Sequence, residues 1–223
     1  NSVEEMRGIT DSEIASLLNG TYKSVTLLGY YQKGDTPASI EYFISNTTEL
    51  EDGGSIFEIK GLKIEHKFEG LVDVRYYGAI PSIDSSEIFK SILNKFGKIS
   101  GDLSSEYLLN NQVAVSYEGD VEFNIKTKTT NSLNTGSGSV FVITDSNSVS
   151  GYISTDLTEV HNYFMLINGS SWVDLSIDAK NGKEINSATT NRNYFIYCQN
   201  VAWCVIKDST FDTMIPIENG VVA

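Results

Sequence analysis

Four aspartates in the last third of the chain, Asp174, Asp178, Asp208 and Asp212, are the first candidates for chemistry. Cleaving a glycosidic bond takes two or three carboxylates on one solvent face, placed to act as acid and base around a single bond. Lyase chemistry takes instead a base that removes a proton beside a uronate carboxylate, with cations to hold that carboxylate. Asp178 and Asp208 fall near the same point of two successive repeats of the sequence, and strands stacked about 5 Å apart would bring them together. Asp208 and Asp212 share the run Lys207-Asp208-Ser209-Thr210-Phe211-Asp212. All four acids also suit turn positions or solvated strand edges, so the pattern leaves catalysis and structure both open.

Four aromatic residues, Tyr163, Tyr194, Trp172 and Trp203, offer a second kind of chemistry, because a flat ring matches the apolar face of a pyranose. They mark a repeat: Asn162-Tyr163-Phe164 returns as Asn193-Tyr194-Phe195, and Trp172 as Trp203, each thirty-one positions later. A fixed period of that length predicts a stacked architecture in which each unit buries its apolar face against the next. Val173, Leu175 and Ile177 stand at every second residue, and Cys204 and Ile206 occupy the first two equivalent places, which is strand spacing. Phe141 precedes Trp172 by the same thirty-one, so Phe141, Trp172 and Trp203 are expected to form one column. On that reading the two tryptophans are core residues, and a platform for sugars is the alternative.

No other reactive constellation emerges. His66 and His161 lack the paired spacing of a metal site and have no confident nucleophile partner, so they read as ordinary surface or core histidines. Gly136-Ser137-Gly138 is a lone loop rather than a phosphate cradle, and there is no nucleophile elbow. The expectation is no metal and no cofactor. Cys198 and Cys204 match apolar positions of the repeat and read as buried free thiols, since bridging them would demand a tight reversal of the chain.

Charge narrows the partners. With 16 basic and 29 acidic residues the chain carries a net −13, which argues against nucleic acid, whose phosphates call for clustered Lys and Arg. The longest apolar stretches, such as Val25-Thr26-Leu27-Leu28, fall far short of the roughly 20 residues of a membrane span, so no membrane insertion is expected. A composition 40% hydrophobic and 11% aromatic, rich in Gly, Ser, Thr and Asn, suits many short strands joined by turns. The chain opens Asn1-Ser2-Val3-Glu4-Glu5, with neither an initiating Met nor a basic-then-apolar leader, and a processed chain or one cut from a longer protein is expected.

The elements that position these residues follow from pattern. Residues 1–20 read as a short helical approach, in which Asp11-Ser12-Glu13 caps a turn carrying Ile14, Leu17 and Leu18 on one face and Asn19-Gly20 is the stop. Residues 24–64 read as an antiparallel meander, broken by Gly34-Asp35-Thr36-Pro37 and Glu51-Asp52-Gly53-Gly54. A strand is predicted over residues 71–79. A helix follows over residues 84–96, opened by Asp84-Ser85-Ser86-Glu87, striped with Ile88, Phe89, Ile92, Leu93 and Phe96, and closed by Gly97. It reads as a cap over the open apolar end of a stack. The predicted organisation is an N-terminal module of small helix and antiparallel β-strands over 1–79, a capping helix over 80–98, and the first coils of a stack over 99–223.

Three segments together resemble a known family. Val25-Thr26-Leu27-Leu28-Gly29-Tyr30-Tyr31 followed by Gly34-Asp35, then Asp52-Gly53-Gly54, then Val74-Arg75-Tyr76-Tyr77-Gly78-Ala79 ahead of the helix are similar to the right-handed parallel β-helix proteins of the pectate-lyase-like superfamily. The likeness is strongest to bacteriophage tailspikes and capsular depolymerases, and it covers residues 2–125 by motif. It implies a mainly β fold with a small β-domain, a capping α-helix and then a right-handed parallel β-helix. It also implies a homotrimer on a virion tail beside other tail proteins, binding and in full length depolymerising a bacterial capsular or lipopolysaccharide glycan. A secreted bacterial lyase or hydrolase of the same fold, and a trimeric tail connector without catalysis, are the alternatives. Where the family runs into Gly-Asp-Gly with further aspartates, this chain has Ile80-Pro81-Ser82-Ile83-Asp84-Ser85-Ser86, so only Asp84 stands for that acidic cluster. The length holds few coils and Val221-Val222-Ala223 carries no cap, so a fragment is expected.

Overall fold

The computed structural model describes residues 1–81, 83–130, 139–157, 163–180 and 194–211. The chain divides into two compact units, Asn1–Ala79 and Ile80–Ala223.

The first unit begins with two short helices, α1 (Val3–Arg7) and α2 (Asp11–Leu18). Each opens with a capping box: Ser2 with Glu5, and Thr10 with Glu13, exchange side-chain and backbone hydrogen bonds that satisfy otherwise orphaned amides. Strands β1 (Val25–Leu27), β2 (Ile40–Ile44), β3 (Ile56–Ile59) and β4 (Leu62–Glu65) form an antiparallel sheet in the order β1-β2-β4-β3. Leu27, Tyr42, Phe57 and Ile64 bury themselves with Val3, Met6 and Leu17 to make its core.

The motif residues of this unit hold turns. Asp35 accepts from the backbone amides of Tyr30, Tyr31 and Gln32, and Asp52 accepts from those of Gly54, Ser55 and Ile56. Gly54 must be glycine, because a Cβ there would lie 2.3 Å from the Tyr77 ring. The strand predicted over 71–79 is shorter: β5 is Val72–Asp73, and Val74–Tyr77 winds into a 3-10 turn. Asp73 starts that turn by accepting from the Arg75 amide, and Gly78 ends it in the left-handed region at φ 79°.

The second unit starts with α3 (Ser86–Phe96), which ends at Gly97 with φ 70°. Its stripe of Phe89, Ile92 and Leu93 is buried, and the helix packs against β6 (Lys98–Ser100) and β8 (Val113–Ser116). Between them lies β7 (Tyr107–Leu108). From β8 onward the strands alternate between two parallel sheets. One holds β8, β10 (Ser139–Thr144), β12 (Tyr163–Asn168) and β14 (Tyr194–Gln199). The other holds β9 (Asp120–Thr129), β11 (Ser148–Leu157), β13 (Trp172–Lys180) and β15 (Trp203–Phe211), with β6 and β7 beside β9.

Three of the corners that lead from the first of these sheets to the second share one chemistry. Asp145 and Asn200 at φ 59° and 53°, and Gly169 at φ 83°, take the left-handed turn. The Asp145 and Gly169 amides donate to the carbonyls of Asn168 and Gln199, one strand along. Inside the corners, Val115, Ile143, Ile167 and Cys198 are register neighbours, and so are Val121, Val149, Val173 and Cys204. Phe123, Phe141 and Phe164 stack edge to face in the same interior, with ring centroids 5.4 and 5.6 Å apart.

The chain is mainly β, but the expected right-handed parallel β-helix is corrected by this sheet structure. Its strands lie in separate sheets, one antiparallel and two parallel, and do not form that solenoid. The thirty-one-residue spacing that suggested a fixed period belongs to β12–β14 and the start of β13–β15. Register partners stand 28 apart for Asp120 and Ser148, and 24 apart for Ser148 and Trp172. The expected column of Phe141, Trp172 and Trp203 also dissolves, because Phe141 lies in the other sheet opposite Met165.

Candidate functional site

Along β13 the inward side chains Val173, Leu175, Ile177 and Ala179 are buried, which by strand alternation turns Trp172, Asp174, Ser176 and Asp178 to the solvent face. In-register pairing carries that face across the sheet. Trp172 stands opposite Trp203 on β15 and opposite Ser148 on β11, which in turn stands opposite Asp120 on β9.

The two indoles lie face to face, with centroids 5.6 Å apart and planes 13° from parallel. Trp172 is 46% and Trp203 55% exposed, so the expectation that they are core residues is overturned. The physical reason is parity: Trp172 immediately precedes the inward Val173, so alternation sends its ring outward. Ser148 extends the tryptophan row by donating to Asp120 Oδ1 at 2.8 Å.

One step along the strands, Lys207 Nζ lies 2.8 Å from Asp174 Oδ1 and 2.9 Å from Oδ2. The bulk of the tryptophan ledge and a carboxylate–ammonium pair therefore share one face, two residues apart on β13. An exposed indole face can cover the C–H face of a sugar ring, and a carboxylate or ammonium beside it can accept or donate hydrogen bonds.

The other candidate acids do not assemble around a single bond. Asp178 lies on the same face as Asp174 but four strand residues away, a separation of about 13 Å, beyond the 5–10 Å of carboxylate pairs that cleave glycosides. Asp208 does not stand beside Asp178. A bulge shifts the register of β15 between Ser176 and Asp178, so Thr210 takes the place opposite Asp178. Asp208 sits in that bulge with a left-handed φ of 47°, exposed, its carbonyl accepting from Ser176 Oγ at 3.2 Å. The Ile177 amide donates to Ser209 Oγ at 3.0 Å, which secures the bulge. Asp212 lies outside the described residues. Tyr163 and Tyr194 pair in register on β12 and β14, and their side chains lie outside the described ones.

Sequence reasoning missed Lys207, Ser148 and Asp120 as neighbours of the tryptophans. The signal for Lys207 was present, since it follows Trp203 by four residues and Asp174 follows Trp172 by two, a diagonal contact between paired strands. Ser148 and Asp120 required register offsets of 24 and 28, which no repeated word in the sequence marks.

The solvent face of the other parallel sheet has a different character. Ala114, Val142, Leu166 and Tyr197 are register neighbours, and beside them run Ser116, Thr144, Asn168 and Gln199, none of them charged. At its α3 end a cleft of about 540 Å³ opens between the helix and strands β8 and β10. Asn94 bridges that cleft, donating to the Ala114 carbonyl at 2.9 Å and accepting from the Ser116 amide at 2.8 Å, so it closes the free edge of β8.

Asp84 is a structural acid. Burial pushes its pKa up, but hydrogen bonds from Ser86, Asn110 and Asn111 outweigh this and hold it below the ordinary carboxylate value. Among the described residues no three His, Cys, Asp or Glu side chains gather into a metal-binding cluster, and no helix is long and apolar enough to cross a membrane. No protein-family model matches this chain, and comparison with curated proteins finds no match.

Proposed function

We propose that this chain binds a bacterial surface polysaccharide, capsular or lipopolysaccharide, on the solvent face of β11, β13 and β15. The observation that carries the reading is the exposed, stacked pair of Trp172 and Trp203 beside the Asp174–Lys207 ion pair. Two large apolar rings left in water cost free energy unless a ligand covers them, and a sugar ring supplies the matching apolar face with hydroxyls at its edge. The segments resembling phage tailspikes give the setting: a virion tail protein, trimeric and held by other tail proteins, that attaches to the host glycan.

Binding is favoured over cleavage as the role of this face, because Asp174 is engaged by Lys207 and Asp178 stands about 13 Å from it. A secreted lyase or hydrolase would share the ligand but shorten it. The test uses tryptophan fluorescence, excited at the red edge of indole absorption where the 12 tyrosines do not absorb, which reports on this site because the chain's 2 tryptophans are Trp172 and Trp203. Titration with purified capsular polysaccharides and lipopolysaccharide O-chains is expected to give a saturable fluorescence change with at least one of them, lost in Trp203→Ala binding assays. Absence of saturation across the glycans of the host overturns the reading. Size-exclusion chromatography of the polysaccharide after incubation separates binding, which leaves its length unchanged, from depolymerisation. Light scattering of the protein tests the trimer.

A further inference from the structure

The corner between β14 and β15 is built differently from the corners stacked beneath it. At each of these, the last inward residue of one strand and the first inward residue of the next stand six positions apart: Val115 and Val121, Ile143 and Val149, Ile167 and Val173. All six of these side chains are buried aliphatics. At the last described corner both positions change together, to Cys198 and Cys204. Their sulfurs lie 3.7 Å apart, at van der Waals contact, and both are partly buried.

The tight reversal whose need argued against a bridge is present. Residues 200–202 turn the chain, with Asn200 in the left-handed region and its side-chain amide donating to Asn168 Oδ1 at 2.9 Å on the neighbouring corner. The thiols thus take the corner positions that Ile167 and Val173 hold on the neighbouring strands, and closing 3.7 Å to a bond of about 2.05 Å takes a small side-chain movement.

The geometry assigns Cys198 and Cys204 as a dithiol that closes to an intramolecular disulfide by exchange with a low-molecular-weight disulfide. The Cys204 thiol loses its proton to solvent and the thiolate attacks one sulfur of the reagent; the reagent's S–S bond breaks, a mixed disulfide forms, and one reagent thiolate leaves. Cys198 then loses its proton and attacks the Cys204 sulfur, forming the protein disulfide and expelling the second reagent thiolate. Two protein thiols are oxidised and the reagent is reduced to two thiols, which take up the two released protons. The closure rests on the 3.7 Å approach of the two sulfurs, and burial with the neighbouring Cys204 pushes the Cys198 thiol up to about 12, which opposes a first attack by Cys198.

The test is intact-mass spectrometry of the full folded chain after incubation with oxidised glutathione, followed by alkylation. Expected is a monomer lighter by two hydrogens, carrying no glutathione and no alkyl group, restored to two alkylatable thiols by reductant. The Cys198→Ser variant, checked for native circular dichroism, is expected to stall with one glutathione on Cys204. Two glutathione adducts on the native chain, a covalent dimer, or two thiols still alkylated after oxidation would each overturn the assignment.

Discussion

Trp172 and Trp203 are register partners on adjacent parallel strands, and their rings stack with centroids 5.6 Å apart while each keeps about half its surface in water. A stacked pair at one level of a sheet is longer than a single indole and runs across the strands. An extended polymer lying perpendicular to β13 and β15 would therefore meet both rings in succession, with Asp174 and Lys207 on one flank.

The ledge predicts a separation of binding from stability. Trp203→Ala removes a half-exposed ring, so the loss of stacking and partial burial should cost about 1 kcal/mol of stability. Glycan affinity should fall about tenfold or more, since one covered ring accounts for roughly 1.4 kcal/mol or more of binding. Calorimetric titration and chemical denaturation of the same preparation check both. A stability loss with unchanged affinity would assign the pair to packing alone.

The ion pair predicts the opposite balance of charge effects. Lys207 is 54% and Asp174 30% exposed at the side chain, so solvent screens the pair and its coupling should be below about 1 kcal/mol. A double-mutant cycle with Lys207→Met and Asp174→Asn measures that coupling through denaturation midpoints. The same variants should weaken glycan binding, because each removes a hydrogen-bonding group at the rim of the ledge.

Much of this arrangement was open to sequence reading, and the reasons for the rest are physical. Alternation along β13 and the apolar stripe of α3 stand out because burial imposes periods of two and of three to four residues, whereas the expected start at Asp84 moves to Ser86 and its N-cap, Ser85, makes no side-chain cap hydrogen bond. The Trp172–Trp203 repeat did mark a register pair. What it concealed was parity, since the rings are offset by one from Val173 and Cys204 and hence face out. The connections between strands differ in length, so offsets of 28, 24 and 31 replace a fixed period and remove Phe141 from the tryptophan column. The bulge at Asp208 was equally hidden, because its cause is a left-handed backbone residue and a Ser209 hydrogen bond rather than a turn word such as Asn-Gly.

Asp84 predicts an acid-sensitive contribution to the second unit. Its folded pKa is depressed below the unfolded value of about 3.9, so its stabilisation is fully present above that value and is lost as pH falls through the folded one. Asp84→Asn should flatten the pH dependence of stability below about pH 4. It should also destabilise the unit at neutral pH by about 1–2 kcal/mol, since an amide nitrogen in place of one oxygen opposes the Asn111 donor or the three bonds on the other oxygen. Denaturation midpoints of native and variant chains between acid and neutral pH measure both effects.

Gly151 predicts the largest single effect on the parallel sheets. It stands between Phe123 and Leu175 in register on the central strand β11, with φ 105°, and a Cβ there would lie 2.1 Å from the Phe123 carbonyl oxygen. Backbone strain and a clash with backbone that cannot rotate away act together, so Gly151→Ala should destabilise the second unit by about 2–4 kcal/mol. Gly61 is the control: its φ of 82° is also left-handed, but a Cβ there meets nothing within 4 Å. Gly61→Ala should therefore cost about 1–2 kcal/mol, the conformational penalty alone. Urea denaturation of the two variants separates them, and equal losses would show that the close approach of β9 to β11 at this position is relieved by a small backbone shift.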